Sequence, residues 1–473
     1  MLYTISRINY QLTKMASDKG TFSSKIGVIA ATVGSAIGLG NVWRFPAEAQ
    51  SNGGAAFLVV YVICIFALGI PVMLAELSLG RAGKSDSVGN FKNLTPKSRW
   101  WIAGTVGLIA SYLILSFYMV VAGWTIEYLF DSISGDLYSG YHAATQAEGN
   151  AFFNTKMASY VASTWNPLIW TFVMIALNLA VLLAGVHKGI EKMSNLLMPL
   201  LFLIMLIFCY VSLSLPNAGD GVRFFLHPDF SKINATVIIN ALGQAFFSLS
   251  LGMGILVTYA AYYPKDTNLV RTSVSVSMLD FLMAFLMGLI IFPAVKSFGL
   301  DSDGNSLEGT TLVFVTLPEI FANMAYTRLW STLFFLLLSV AAITSTISIA
   351  EVSVAFVRDR FNIRRTVACF WVILPLLVTS TLSSLSLGAA PGLKLFGMSL
   401  FDFLDDFATN TLLPISAFAI CIYVGWVLPR TFIRNELSNQ GTLHNRAIPC
   451  ITFLIRYVAP VLIAAIFIAK LLS

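Results

Sequence analysis

Gly34-Ser35-Ala36-Ile37-Gly38-Leu39-Gly40-Asn41-Val42-Trp43-Arg44-Phe45-Pro46 interrupts an apolar segment, from about Lys25 to Ala49, that otherwise reads as one membrane-spanning helix. Glycine weakens a helix by about 1 kcal/mol relative to alanine. An intramembrane Arg is rare unless it faces protein or water. Gly34 and Gly38 could form a small-residue packing face, but that leaves Asn41 and Arg44 unexplained. The stretch therefore predicts a helix broken at membrane depth, which is tolerated only where the backbone lines a cavity or is buried in protein. Such a break bares carbonyls for cations and amide N–H groups for an anion.

The surrounding composition agrees with a membrane setting. The chain has 473 residues, 57% hydrophobic and 11% charged, which excludes an ordinary soluble domain. A span needs ~20 apolar residues. Stretches that meet this lie near 25–50, 54–80, 100–130, 166–186, 193–215, 235–263, 268–298, 329–357, 366–387, 399–428 and 447–472. The expected fold is an all-α polytopic membrane protein of about 11 transmembrane helices. The start has no signal-peptide pattern, and Met15 reads as a plausible true start, leaving residues 1–14 dispensable. Lys and Arg concentrate in alternate loops, including Arg81 to Arg99, His187 to Lys192, Arg358 to Arg365 and Arg430 to Arg446, while Asp131, Asp136, Glu148, Asp220, Asp229, Asp301, Asp303 and Glu308 lie in the others. The positive-inside rule then places the N-terminus in the cytoplasm and the C-terminus outside, in a cell (inner) membrane. The +6 net charge follows from that asymmetry and implies no nucleic-acid partner. Membrane lipid is the expected surrounding. No Cys or His spacing suggests a metal site or a triad, so an enzyme reading has no residues to stand on.

Span 6 repeats the opening anomaly in Gly243-Gln244-Ala245-Phe246-Phe247-Ser248-Leu249-Ser250-Leu251-Gly252-Met253-Gly254. Glycine-interrupted helices in corresponding positions of two halves mark a repeat transporter and its substrate site. Five helices per half is an odd number, so the second half enters from the opposite side. The expected organisation is a cytoplasmic segment 1–24, a first five-helix repeat 25–215, an extracellular loop 216–234, an inverted second repeat 235–428, and a loop with an added span 429–473. Glu76, Tyr118, Asp280 and the run Thr344-Ser345-Thr346 with Ser348 are polar groups inside apolar spans. Glu76 reads equally as a functional carboxylate and as one snorkelling at the end of its helix. Three consecutive hydroxyls and a fourth exceed what helix packing needs, and their oxygens suit a hard cation. Gly189 and Pro199 weaken one end of span 5.

With these residues in view the chain resembles the neurotransmitter:sodium symporters and their bacterial LeuT-type amino-acid-transporting relatives. The resemblance covers nearly all of it from about Phe22. Its markers are residues 34–46, Asn52-Gly53-Gly54-Ala55-Ala56-Phe57, Lys188-Gly189-Ile190-Glu191 and residues 243–252. It implies a LeuT-type 5+5 inverted repeat with helices 1 and 6 broken. It also implies a sodium-coupled symporter of hydrophobic, aliphatic or aromatic L-amino acids, working by alternating access. Two Na+ ions are implied: one on Ala36, Asn41, Ser248 and Asp280, the other on Gly34, Ile37, Ala341, Thr344 and Ser345. The implied substrate site is Ser35, Ala36, Leu39, Gly40, Ile114, Tyr118, Phe247, Ser248, Ser250, Met253, Ser345 and Ile349. Arg44 with Asp406 is the implied outer gate, Phe247 with Tyr118 its lid, and Lys19 with Asp359 the inner gate. Lys19 and Phe22 stand where the family has Arg and Trp. Asp280 and Ala284 stand where chloride-dependent members have Asn and Ser, so no chloride requirement is expected. Gly38 stands where monoamine transporters have Asp, which favours an amino-acid substrate. The alternatives are a symporter of the same fold for another small solute, such as an osmolyte, and a non-transporting membrane sensor.

Overall fold

The structure, a computed structural model, describes residues 21–142, 145–299 and 309–472. Lys19 of the expected inner gate, and Asp301, Asp303 and Glu308, lie outside the described residues. Among the described residues eight helices are long and apolar enough to cross a membrane, and the pair Lys25–Ala36 and Gly40–Ser51, bent by 56°, makes a ninth. One of the eight, Trp165–Leu213, is 49 residues long, which as one rod would measure about 74 Å at 1.5 Å per residue. It does not run straight. Gly185 adopts φ 89° and ψ −177°, a backbone region that essentially only glycine occupies. A Cβ placed on Gly189 would lie 2.2 Å from the Val181 carbonyl oxygen, two residues that a straight helix would hold about 12 Å apart. The chain therefore turns back over Val186–Glu191, and the stretch supplies two crossings, Trp165–Gly185 and Lys192–Leu213. Pro199 falls inside the second of these.

Numbered in chain order, span 1 is Lys25–Ala36 with Gly40–Ser51, span 2 Ala55–Gly83 and span 3 Trp101–Ser134. Spans 4 and 5 are the two just described. Span 6 is Ala235–Ser248 with Ile255–Ala261. Spans 7 to 11 are Leu269–Ser297, Thr327–Phe361, Arg365–Ser386, Leu400–Val427 and Ile448–Leu471. The only sheet among the described residues is a hairpin, Lys394–Leu395 against Met398–Ser399.

Which faces are apolar decides where each span sits. The most apolar window of span 8 is 83% buried and that of span 11 only 33%. Span 8 lies along span 3 at the centre, and the first half of span 1 packs against spans 5, 7 and 8. Leu196, Leu203 and Leu206 of span 5, Leu374 of span 9 and Val461 of span 11 point outward, as a lipid solvent permits.

Both expected breaks are present. In span 1 the helix stops at Ala36 and resumes after Leu39. In span 6 residues 249–254 are unwound, with positive φ at Ser250, Gly252 and Gly254. Gly252 has no space for a side chain, since a Cβ there would meet the Leu413 carbonyl oxygen at 2.5 Å. The end of the bundle that carries Lys25 is plugged by Phe22, 2% exposed. Its ring stands edge-on to Tyr259 and Tyr262 and leans on Tyr263, with centroids 5.8, 6.4 and 6.0 Å away. Its N–H donates to the Tyr262 carbonyl at 3.2 Å.

Candidate functional site

The two breaks touch. The Ser250 hydroxyl donates to the Ser35 carbonyl at 2.9 Å, so the unwound segment of span 6 satisfies a carbonyl at the end of the first half of span 1. Glu76 resolves the ambiguity left by its position: it is fully buried and accepts the Gly252 N–H at 2.7 Å. A carboxylate that would be costly in lipid here fastens an unwound peptide of span 6.

Around the span 1 break, the Leu39 N–H donates to the Tyr118 hydroxyl at 3.1 Å. Gly38 is the residue that permits this approach. A Cβ on it would lie 2.7 Å from Ser345 Oγ and 3.0 Å from the Tyr118 oxygen. A Cβ on Gly40 would strike the Phe247 ring at 2.8 Å. Gly38, Leu39, Gly40, Tyr118, Phe247 and Ser345 thus converge. Ser35, Ala36, Ile114, Ser248, Ser250, Met253 and Ile349 are all buried on the same four spans, 1, 3, 6 and 8.

Three of the four residues expected at the first sodium position, Asn41, Ser248 and Asp280, meet in one cluster. Asn41 Nδ2 donates to Asp280 Oδ1 at 2.8 Å and to Ser248 Oγ at 3.1 Å. Ser248 Oγ lies 2.9 and 2.8 Å from the two Asp280 carboxylate oxygens. Asn41 Oδ1 accepts the Gly38 N–H at 3.2 Å, so a half-turn of the amide would present oxygen to the cluster instead. The second position is assembled as well. Ser345 Oγ donates to the Ile37 carbonyl at 3.0 Å, and Thr344 Oγ1 to the Ala341 carbonyl at 3.0 Å. A Cβ on Gly34 would sit 3.4 Å from Thr344 Cβ. The groups at both positions offer oxygen, the donor a hard cation takes.

Above the site a cavity of about 340 Å³ is lined by Gly40, Arg44, Glu48, Ser51, Phe117, Tyr118, Phe247 and Asp405, among others. The Arg44 guanidinium lies 4.6 Å from the centre of the Phe247 ring, and its Nε is 4.0 Å from Glu48 Oε1. The acid that faces Arg44 across the cavity is Asp405, not Asp406. Asp406 accepts from Asn410 Nδ2 at 2.7 Å within its own span. One residue turns a helical side chain by about 100°, enough to take it off the cavity wall. The expected pairing of Arg44 with Asp406 is corrected accordingly. At the opposite end Asp359 pairs with Arg358 at 2.9 Å and accepts from Ser85 Oγ at 3.4 Å.

This arrangement gives a measurable consequence. Arg44→Asp or Asp405→Arg should lower uptake into proteoliposomes about tenfold with the melting temperature within a few degrees of wild type. Charges that face one another across a water-accessible cavity contribute only ~0–1 kcal/mol to folding. The double reversal should regain part of the loss and Asp406→Ala should change little. An equal defect at Asp406 would return the gate to that residue.

Two further residues stand near the cluster. Tyr61 directs its hydroxyl at Asp280 Oδ2 from 3.5 Å. Gln244, fully buried, has neither amide atom hydrogen-bonded and stands one turn before Ser248 on the same helix face. The pair Gly243-Gln244 is a sequence signal that the motif as a whole overshadows. For Tyr61 the only signal is an aromatic hydroxyl in an apolar run.

The profile of the sodium:neurotransmitter symporter family matches residues 19–163 and 155–473. An uncharacterized sodium-dependent transporter of Bacillus subtilis, YhdH, is 34% identical over 446 residues, 94% of this chain and 96% of that protein. An uncharacterized sodium-dependent transporter of Haemophilus influenzae is 32% identical, covering 97% of this chain and 100% of its own length. Among solved structures, MhsT in complex with L-phenylalanine superposes with a TM-score of 0.84 at 37% identity, covering 96% of this chain and 100% of that one.

Proposed function

The chain belongs to the sodium:neurotransmitter symporter family, which makes it a sodium-coupled membrane transporter and not an enzyme, and from that premise we propose that it imports hydrophobic L-amino acids, aliphatic or aromatic. Two sodium ions accompany the substrate, chloride is not needed, and access alternates between the two faces around the paired breaks. The Lys25 end faces the cytoplasm and the C-terminus the outside. The observation that carries this reading is the crowding at Gly38 beneath Tyr118 and Ser345, where even a Cβ would lie 2.7 Å from Ser345 Oγ. No protein carboxylate fits there, so the positive end of the second half-helix is left to a carboxylate of the substrate. The buried Ile114, Met253 and Ile349, with Phe247, make the remaining wall apolar. The amino acid bound in the MhsT structure supports the same class.

A thermal-shift screen of the twenty amino acids, with sodium or potassium as the cation, tests it. A ligand at 100 times its Kd stabilises by about 2.7 kcal/mol. Leucine and the aromatic amino acids should raise the melting temperature in sodium and not in potassium. Stabilisation by glutamate, glycine or a quaternary amine in their place would overturn the substrate class.

Met253 provides a selectivity prediction. Its unbranched side chain yields space to ligands of different shape, whereas a ring would not. Met253→Phe should weaken binding of tryptophan at least tenfold relative to valine or leucine, measured by competition. An unchanged order of preference would remove Met253 from the wall.

A further inference from the structure

We propose that an anionic phospholipid docks between spans 3 and 10, at the Lys25 end of the bundle, and through that position bears on the break in span 6. A cavity of about 370 Å³ lies there, walled by Ala103 and Val106 of span 3 and Ile415 and Ala419 of span 10, with Arg99 and Trp100 at its end. Its walls are apolar, and Ile102 and Ile415 beside it are 49% and 40% exposed. Only its mouth is charged. Lys97 and Arg99 are exposed and join no ion pair among the described residues. Lys92 Nζ sits 5.2 Å from the Trp101 ring centre, and the Trp100 ring stacks obliquely on Tyr423 at 5.5 Å. Tyr423 is in turn tied by its hydroxyl to Thr95 Oγ1 at 2.8 Å.

Tryptophans and cations at one depth mark a headgroup level, and a basic mouth over a greasy furrow matches an anionic headgroup joined to an acyl chain. A protein helix could pack against Ala103 and Ala419, but an uncharged one would leave Lys97 and Arg99 at the mouth without a counter-charge. A zwitterionic lipid would fill the furrow but leave the cations at its mouth without a net counter-charge.

The same two walls grip span 6. Val106 adjoins Gly107, where a Cβ would lie 2.9 Å from the Gly252 carbonyl oxygen and 2.8 Å from Ser416 Oγ. Ile415 lies between that Ser416 and Leu413, whose carbonyl oxygen crowds Gly252 from the other side. The furrow is thus the outer surface of the clamp that holds the unwound residues. A chain seated in it opposes any separation of spans 3 and 10, and so favours the arrangement of span 6 seen here. A ligand shifts an equilibrium only by its differential affinity for the two states, and this placement supplies one.

The test uses the full-length protein in phosphatidylcholine nanodiscs containing a trace of phosphatidylglycerol with a diazirine in its acyl chain. After irradiation, labelled peptides are mapped. Label should fall on residues 98–106 and 415–419, and unlabelled phosphatidylglycerol should displace it at about one-tenth the concentration of phosphatidylcholine. Lys97→Gln with Arg99→Gln should abolish that tenfold preference, and Val106→Trp should remove the label from both peptides. Because wild-type mapping stands alone, a misfolded Val106→Trp does not blunt the test. Label confined to other spans, equal displacement by phosphatidylcholine, displacement by soluble glycerol phosphate, or protection of these peptides by a second copy of the chain would each overturn the proposal.

Discussion

Asp280→Asn should weaken sodium-dependent substrate binding at least a hundredfold in chloride-free buffer, and adding Ala284→Ser should restore it only when chloride is present. Asp280 is fully buried and is held by Asn41, Ser248 and, at longer range, Tyr61. It is the one carboxylate among the residues proposed to hold the two cations. Leaving a buried charge without its partner costs about 3–5 kcal/mol, and each 1.4 kcal/mol is a factor of ten in affinity, hence the predicted size. Ala284 is one turn further along the same face and completely buried, so it offers a methyl group where a hydroxyl could help hold an anion. The unpaired Gln244 amide is the natural second donor in the double variant. Scintillation proximity binding of a radiolabelled amino acid, in chloride or gluconate, separates the cases. Wild-type binding that collapses in gluconate would sink the assignment.

Thr344→Ala with Ser345→Ala should remove sodium coupling while leaving the fold intact. The two hydroxyls are two of the five oxygens proposed for the second ion. Hydrogen bonds or equivalent contacts to a charged group are worth about 1.5–3 kcal/mol each, so sodium affinity should fall by two to four orders of magnitude. Their present partners are the Ala341 and Ile37 carbonyls, which a bound cation would engage in their stead. The melting temperature without sodium should move by a few degrees at most, because the carbonyls retain helix or water partners. Sodium-driven uptake at the normal rate would eliminate this position from the coupling scheme.

Much of this architecture is legible in the amino-acid sequence, and the reason is local. Glycine and polar residues cannot sit in the middle of an apolar helix without a purpose, so Gly34 to Arg44 and Gly243 to Gly254 announce both breaks. The hydroxyl run at 344–348 is, in the same way, the sequence signal behind the proposed second cation position. Helical phase is the part that the letters do not carry. Asp405 and Asp406 are chemically identical neighbours, and only the packing of span 10 against spans 3 and 11 turns one toward Arg44. Glu76 is ambiguous in sequence for a related reason. Its value depends on a peptide N–H at Gly252, 176 residues away along the chain, which no local pattern contains. The turn between spans 4 and 5 is legible as a basic stretch between the apolar runs 166–186 and 193–215, but that Gly185 makes it is not, because a glycine's φ and ψ are not visible in its letter.

The plug at the Lys25 end and the Arg44–Asp405 pair proposed as the gate at the other end rest on unlike forces, and this has a consequence for how the two orientations interchange with conditions. Phe22 is held among the described residues by three tyrosine rings, so opening there exposes aromatic surface and carries a positive heat-capacity change. Cooling weakens such a seal. The Arg44–Asp405 side is charged and water-accessible, so added salt weakens it by screening and temperature matters less. The protein should therefore answer to two independent dials. Spin-label distances across each end ought to show cooling widening the Phe22 end at constant salt, and salt widening the Arg44 end at constant temperature. If both ends move together with either variable, the seals are mechanically tied and the difference in their chemistry has no kinetic expression.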